Sequence, residues 1–140
     1  MLRSRPALLA TAATAVALLS AAPPAMAANV ELLRGTVRPA SHDARGVATV
    51  VARPDGSRTL NLRRFRIDPG PVVRVWLVPK SARSDGRIDD DYKDLGRLKG
   101  SKGNQSYRIP KSIDLRRYSS VVFWCVPFTS NLARADLGRS

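Results

Sequence analysis

Residues 119–126 read Ser-Ser-Val-Val-Phe-Trp-Cys-Val and form a continuous apolar segment late in the chain. Side chains alternate between the two faces of a strand. Two apolar sets therefore lie on opposite faces: Val121, Phe123 and Cys125 on one, and Val122, Trp124 and Val126 on the other. Because both faces are apolar, we predict a strand that is covered on both sides.

Other apolar or alternating segments are separated from this one by turns rich in Gly, Pro and Asp. They are residues 30–37, 47–51, 58–67, 72–78, 105–109 and 129–137. No apolar period of 3.6 residues persists long enough to predict a helix beyond a turn near 113–118. The pattern predicts an all-β fold, a sandwich-like or partly closed barrel of about seven to nine short, largely antiparallel strands.

Two connections have distinct signatures. Pro54-Asp55-Gly56-Ser57 has the residue types of a tight turn, because proline presets φ and aspartate bonds its own backbone. Residues 81–94 are polar and contain Asp89-Asp90-Asp91, so we predict an exposed loop there.

The segment 58–67 changes parity along its length. Leu60 and Leu62 share one face, whereas Phe65 and Ile67 fall on the other. A β-bulge near Arg63-Arg64 would return all four side chains to the same face, and we predict one there.

The first 27 residues have the organisation of a cleaved signal peptide. Arg3 and Arg5 give a positive start, residues 7–22 form an apolar run, and Ala25-Met26-Ala27 has the small-x-small pattern of a cleavage site. The run of 16 residues is shorter than the roughly 18 expected of a spanning helix. We therefore expect residues 28–140 to be a single secreted or extracytoplasmic domain, with no membrane span after cleavage.

The charge balance is strongly basic, with 24 Lys and Arg against 11 Asp and Glu and a net charge of +13. The basic residues are dispersed and accompany no reading element, so nucleic-acid binding is not expected. Outside the cell, this charge favours a basic binding or adhesion module for anionic envelope polymers. A solvated surface in an arginine-rich proteome would give the same composition.

No catalytic constellation is apparent, and we do not expect an enzyme. His42 is the single histidine and a weak metal candidate, because one histidine and one cysteine far apart in sequence are a weak signal of a metal site. Asp89-Asp90-Asp91 lacks the alternating spacing of a calcium loop. The glycine-rich residues 96–103 lack P-loop spacing and predict a chain reversal.

Cys125 is the single cysteine, which excludes an intramolecular disulfide. In an apolar layer it would be a small, inert hydrophobe. A functional thiol would instead be a redox group or a ligand to a metal or haem, and would need a gap in its cover or a positive neighbour. The residues alone leave both interpretations open.

A specific pattern covers the second half of the chain. A lysine-glycine turn at Leu98-Lys99-Gly100 precedes a strand that contains Tyr107, and the pair Trp124-Cys125 follows near the end. Together with weaker upstream matches, this pattern over residues 34–137 resembles the DM13 domain family.

The resemblance implies a β-sandwich-like extracellular domain with an electron-transfer or redox-linked role centred on Cys125. The cofactor is not identified, and haem or a metal would fit such a role. Trp124, Phe123, Tyr107 and Trp76 are the expected pocket neighbours. An extracytoplasmic redox partner is expected to act in trans.

Two positions depart from the family pattern. Arg64 stands where asparagine is expected, and Leu132 stands where an aromatic residue is common. Both departures weaken the case for an intact cofactor pocket. The redox interpretation depends on the Cys125 sulfur being reachable, and a sulfur without an adjacent cavity or cation would count against it.

Overall fold

The computed structural model describes residues 2–4, 6–22 and 27–140, and this part of the chain forms a two-sheet sandwich with ten strands and one short helix. The strands are β1 Val30–Thr36, β2 Arg38–Pro39, β3 Ala44–Ala52, β4 Arg58–Ile67, β5 Val73–Val78, β6 Lys93–Arg97, β7 Gln105–Ile109, β8 Ser120–Cys125, β9 Ser130–Asp136 and β10 Gly138–Arg139; the helix is α1 Asp85–Asp90.

All pairings between these strands are antiparallel. One sheet has the order β10-β1-β3-β4-β7, and the other has the order β2-β9-β8-β5-β6. The all-β prediction is confirmed, and the architecture is the sandwich rather than a closed barrel. The strand number exceeds the predicted range because β2 and β10 are two-residue edge strands.

The prediction of an exposed loop over residues 81–94 was wrong for residues 85–90, which form a helix, and for residues 93–94, which begin β6. Residues 85–90 form α1, whose N-cap Ser84 accepts a hydrogen bond from the Arg87 backbone at 3.3 Å. Ile88 is fully buried against the second sheet, so α1 is held by packing. A single apolar residue in six gives no periodic signal, which is why the sequence pattern did not predict this helix.

The predicted turn and the predicted bulge are both confirmed. In the turn, Asp55 Oδ1 accepts a hydrogen bond from the Ser57 backbone at 2.8 Å. The β3–β4 ladder pairs Val47 with Arg63 but Arg45 with Arg66, so β4 has one extra residue at this point. This bulge returns Phe65 and Ile67 to the core.

The hydrophobic core lies between the sheets, and β8 crosses its middle with every residue buried. A second, smaller cluster covers the outer face of the second sheet beneath α1. Residues 7–22 form neither helix nor strand, and Ala25-Met26 of the predicted cleavage motif lie outside the described residues. Within the described part, no helix has the length and apolar character that a membrane crossing requires.

Asp136 anchors the start of β8. It accepts a hydrogen bond from the Ser120 hydroxyl and pairs with Arg83 at 2.9 Å and with Arg134 at 3.0 Å. Burial acts to raise the pKa of the Asp136 carboxyl, but the Ser120 hydrogen bond and the two arginines more than offset it. The pKa of Asp136 is therefore lowered.

We expect the free energy of unfolding of Asp136→Asn to fall less than that of the wild type as the pH is lowered. A carboxylate with a lowered folded-state pKa stabilises the fold above its unfolded-state value of about 3.9, and this contribution disappears as the pH falls through the folded-state pKa. The variant should be less stable than the wild type at neutral pH and approach it in strong acid. Urea unfolding across a pH series measures the difference.

The control for this prediction is Asp90→Asn, an exposed carboxylate at the end of α1 with no ion pair among the described residues. It should follow the wild-type pH dependence. A constant offset between Asp136→Asn and the wild type at every pH would contradict the electrostatic explanation.

Candidate functional site

Cys125 lies at the end of β8 and is the last buried residue before an exposed turn, residues 126–129. It pairs with Val73 of β5 on one side and Ser130 of β9 on the other. Its Sγ donates a hydrogen bond to the carbonyl oxygen of Pro71 at 3.2 Å, and Pro71 itself is exposed. The thiol is thus close to one end of the sandwich.

The sulfur is nevertheless sealed in this conformation. Cys125 is 1% exposed and belongs to the core between the sheets. Phe123 lies two residues earlier in the same layer, and its ring centroid is 4.9 Å from that of Phe65. A partner thiol or a bound ligand would have to displace part of the core to contact the sulfur.

The expected pocket neighbours of Cys125 fall into two groups on opposite faces of the second sheet. Phe123 and Tyr107 belong to the core between the sheets with Cys125. Trp124 and Trp76 belong to the outer cluster. The predicted alternation along β8 is therefore confirmed, but the five side chains do not surround one space.

Tyr107 positions the glycine-rich connection between the sheets. Its hydroxyl donates to Gln105 Oε1 at 2.5 Å and accepts from the Lys99 backbone N–H at 2.9 Å. Burial raises the pKa of Tyr107, and the Lys99 hydrogen bond opposes part of that shift. Gln105 also donates to the Gly100 carbonyl at 3.0 Å, so the lysine-glycine turn and the tyrosine strand are one hydrogen-bonded unit.

His42 joins two connections at the Cys125 end of the fold. Its Nδ1 lies 2.9 Å from the carbonyl oxygen of Asp68. A Cβ on Gly70 would come within 3.5 Å of the His42 ring and 3.2 Å of Leu132, so these residues are closely packed. The side chain is half-buried and tied to backbone, which is a structural role.

The residues present do not fit a metal or haem site. Among the residues that the structure describes, no group of three or more His, Cys, Asp or Glu side chains could hold a metal ion. Cys125 is enclosed by core side chains, and two of its four expected aromatic neighbours lie on the other face of the sheet.

Three aromatic rings stack on the outer face of the second sheet. The Tyr92 and Trp76 centroids are 3.6 Å apart with nearly parallel planes, and the Trp76 and Trp124 centroids are 4.8 Å apart. Tyr92 is 41% exposed, whereas both tryptophans are buried. The stack therefore runs from the protein surface to Trp124, which directly precedes Cys125 in β8. We call it the aromatic stack.

Tyr92 was not among the predicted site residues. Its one signal in the sequence is that it is the single aromatic residue in the polar segment 81–94. Its partner Trp76 is on β5, and only the pairing of β5 with β8 brings Trp76 beside Trp124. The stack is a product of tertiary structure.

The two departures from the family pattern lie in different environments, one on the surface and one in the core. Arg64 is exposed and has a left-handed backbone, with φ of +49°, and its N–H donates to Asn104 Oδ1 at 3.0 Å. Asparagine tolerates this conformation better than other residues with a side chain, which explains why asparagine suits the position. Leu132 is a core residue, 2% exposed.

Comparison with known proteins identifies one family. No curated protein and no solved structure matches the chain. A family model described as "Electron transfer DM13" matches residues 36–137, which include the strands of both sheets from β2 to β9. The match covers well over half of the chain and contains the lysine-glycine turn, Tyr107 and the Trp124-Cys125 pair. The chain belongs to the DM13 family.

Proposed function

We propose that this DM13 domain takes part in electron transfer outside the cytoplasm, with a redox-linked role for Cys125 and a redox partner that acts in trans. The observation that carries the proposal is the aromatic stack, which links the exposed ring of Tyr92 to Trp124, the residue bonded to Cys125. In this proposal the partner docks at Tyr92 and electrons pass through the stack.

The burial of Cys125 favours this route over direct thiol chemistry. Disulfide exchange and ligand binding both require contact with the sulfur, and Cys125 is 1% exposed. Electron transfer requires only short steps between groups that can be oxidised. Phenol and indole side chains are such groups, and the successive ring centroids of the stack are 3.6 and 4.8 Å apart.

The outer cluster keeps the two tryptophans of the stack ordered and away from water. Ile88 and Val122 are fully buried beside the two tryptophans, and the stacked geometry is one that aromatic pairs favour. The Trp76 indole N–H is buried and has no hydrogen-bond partner among the described residues. Ring contact and apolar packing therefore fix its position.

We expect Cys125 to lose its free thiol when the native protein is treated with excess hexachloroiridate(IV), an outer-sphere one-electron oxidant. Two iridium(IV) ions each accept one electron, and the thiol and one water release two protons as the sulfur becomes a sulfenic acid. Native protein should react slowly with iodoacetamide, because that reagent must reach the sulfur. Tyr92→Leu should slow the oxidative loss severalfold, since it removes the exposed end of the stack. Free thiol is counted after quenching and denaturation.

The matched control is Phe128→Leu, because Phe128 is an exposed aromatic residue outside the aromatic stack. It should be oxidised at the wild-type rate. Thiol loss that occurs only on global unfolding, or that is equally fast in Tyr92→Leu, would end the proposal that electrons reach Cys125 through the stack.

A second candidate function is a non-catalytic basic module that binds an anionic envelope polymer. The specific observation in its favour is an open hollow of about 620 Å³ on the first sheet that is lined by four basic residues and no acidic one. Binding of this kind would weaken as salt screens surface charge. It would also tolerate loss of the Cys125 thiol. Neither candidate function involves catalysis by this protein.

A further inference from the structure

Four cations line the hollow beside the β3–β4 bulge: Arg45, Arg64, Arg66 and Lys102. We call this group the cation hollow. All four residues are exposed, and none has an ion pair within 4.0 Å among the described residues. Gly46, Val47 and Phe65 complete the lining beside the bulge.

The strand register places three of the cations side by side. Arg45 of β3 is the direct partner of Arg66 of β4, and Arg66 forms an isolated bridge with Lys102. Like charges directly opposite each other destabilise a sheet. The fold therefore maintains a row of positive charge across three neighbouring segments at a cost in stability.

The backbone conformation of the fourth cation, Arg64, is also energetically unfavourable. Arg64 has a φ of +49°, a conformation that costs a residue with a Cβ free energy. Opposite it, Gly46 has a φ of +133°, and a Cβ there would lie 2.9 Å from the Cα of Phe65. The glycine lets the two strands meet closely at the bulge, and Arg64 occupies a position that asparagine would fill with less strain.

Two acidic side chains lie beside two of the cations but form no ion pair with them among the described residues. Asp43 and Asp68 line a separate, smaller hollow of about 210 Å³ with Arg45 and Arg66. Neither carboxylate comes within 4.0 Å of a basic group in the described part of the chain. Three observations therefore indicate an anion site. The cations have no ion pairs among the described residues, three of them lie side by side in the strand register, and Arg64 has a left-handed backbone conformation.

We propose that the cation hollow binds phosphate groups carried on an anionic polymer. A carboxylate has one charge and two acceptor oxygens, too few for four cations around one hollow. A phosphate monoester or a chain-terminal phosphate has three terminal oxygens and up to two negative charges. Each internal phosphate of a chain still carries one charge, so adjacent phosphates together can match the four cations. Arginine guanidinium groups bind phosphate with paired, charge-assisted hydrogen bonds. The inference rests on the binding function proposed above and is independent of the redox role.

The test compares two double variants of the full chain in binding to inorganic pyrophosphate, long-chain polyphosphate and polygalacturonate. We expect Arg45→Gln/Arg66→Gln to weaken polyphosphate binding about tenfold or more, because two guanidinium forks are lost. The control Arg87→Gln/Arg108→Gln removes the same charge from exposed positions outside the hollow. It should have a much smaller effect.

Arg64→Asn provides a readout that a purely structural role would not produce. Polyphosphate affinity should fall severalfold while the thermal midpoint rises by about 2–5 °C, since asparagine relieves the left-handed strain. An arginine that serves only the fold would not combine higher stability with weaker binding.

Four results would overturn the proposal. Equal losses in the two double variants would leave general electrostatic binding intact but remove the specific site. Preference for polygalacturonate over polyphosphate would exclude phosphate recognition. Absence of binding to all three probes would contradict both the site and the binding function. Comparable affinity for pyrophosphate and polyphosphate would assign the site to small phosphates rather than polymers.

Discussion

Replacing Phe65 by alanine is expected to lower the free energy of unfolding by about 3–5 kcal/mol, the usual cost of removing a buried aromatic ring. Phe65 is 2% exposed, and its ring packs on Phe123 with centroids 4.9 Å apart. It also follows Arg64 directly at the bulge. The substitution therefore leaves a void between the bulge and the layer that contains Cys125.

Urea unfolding measures this effect, and Phe65→Leu is the matched control. Leucine keeps most of the apolar volume, so its cost should stay below about 1.5 kcal/mol. The alanine variant should also make the Cys125 thiol easier to alkylate. An alanine variant as stable as the leucine variant would show that the bulge does not fix Phe65 in the core.

A comparably large loss is expected for Gly35→Ala in β1. A Cβ at this position would lie 2.2 Å from the carbonyl oxygen of Asp136 and 2.9 Å from its carbonyl carbon. Both contacts are with backbone, which cannot rotate away as a side chain could. We expect a destabilisation of about 3 kcal/mol, the upper end of what overpacking costs, because β1 and the end of β9 must separate.

Gly138→Ala is the control for this prediction, because Gly138 belongs to a strand paired with β1 and a Cβ there would meet nothing within 4 Å. Its effect should stay within about 0.5 kcal/mol. Thermal unfolding of both variants is the measurement. A mild Gly35→Ala effect would mean that the two sheets can move apart at this edge without loss of packing.

Local patterns in the sequence predicted most of the fold. Apolar alternation located β8 and gave the opposite faces of Phe123 and Trp124, and turn chemistry located residues 54–57. The parity change after Leu62 located the bulge. Each of these signals depends on a few consecutive residues, because side-chain period and turn geometry are properties of the local backbone.

The candidate site was predictable only in part. The family pattern indicated Cys125 and four aromatic residues, but alternation alone already separated Trp124 from the sulfur. Tyr92 could not be connected to Trp76 in advance, because they meet through the β5–β6 pairing and the loop that follows α1. The helix itself was missed because six residues are too few to show a period.

The sequence by itself determined the all-β class, the basic surface, the family and the opposed faces of β8. Only the tertiary structure decided that Cys125 is enclosed, that Tyr92 completes the aromatic stack, and that Arg45, Arg66 and Lys102 form one row. The physical reason is register. Alternation says which face a side chain takes, whereas its neighbours on that face depend on long-range strand pairing that no local pattern encodes.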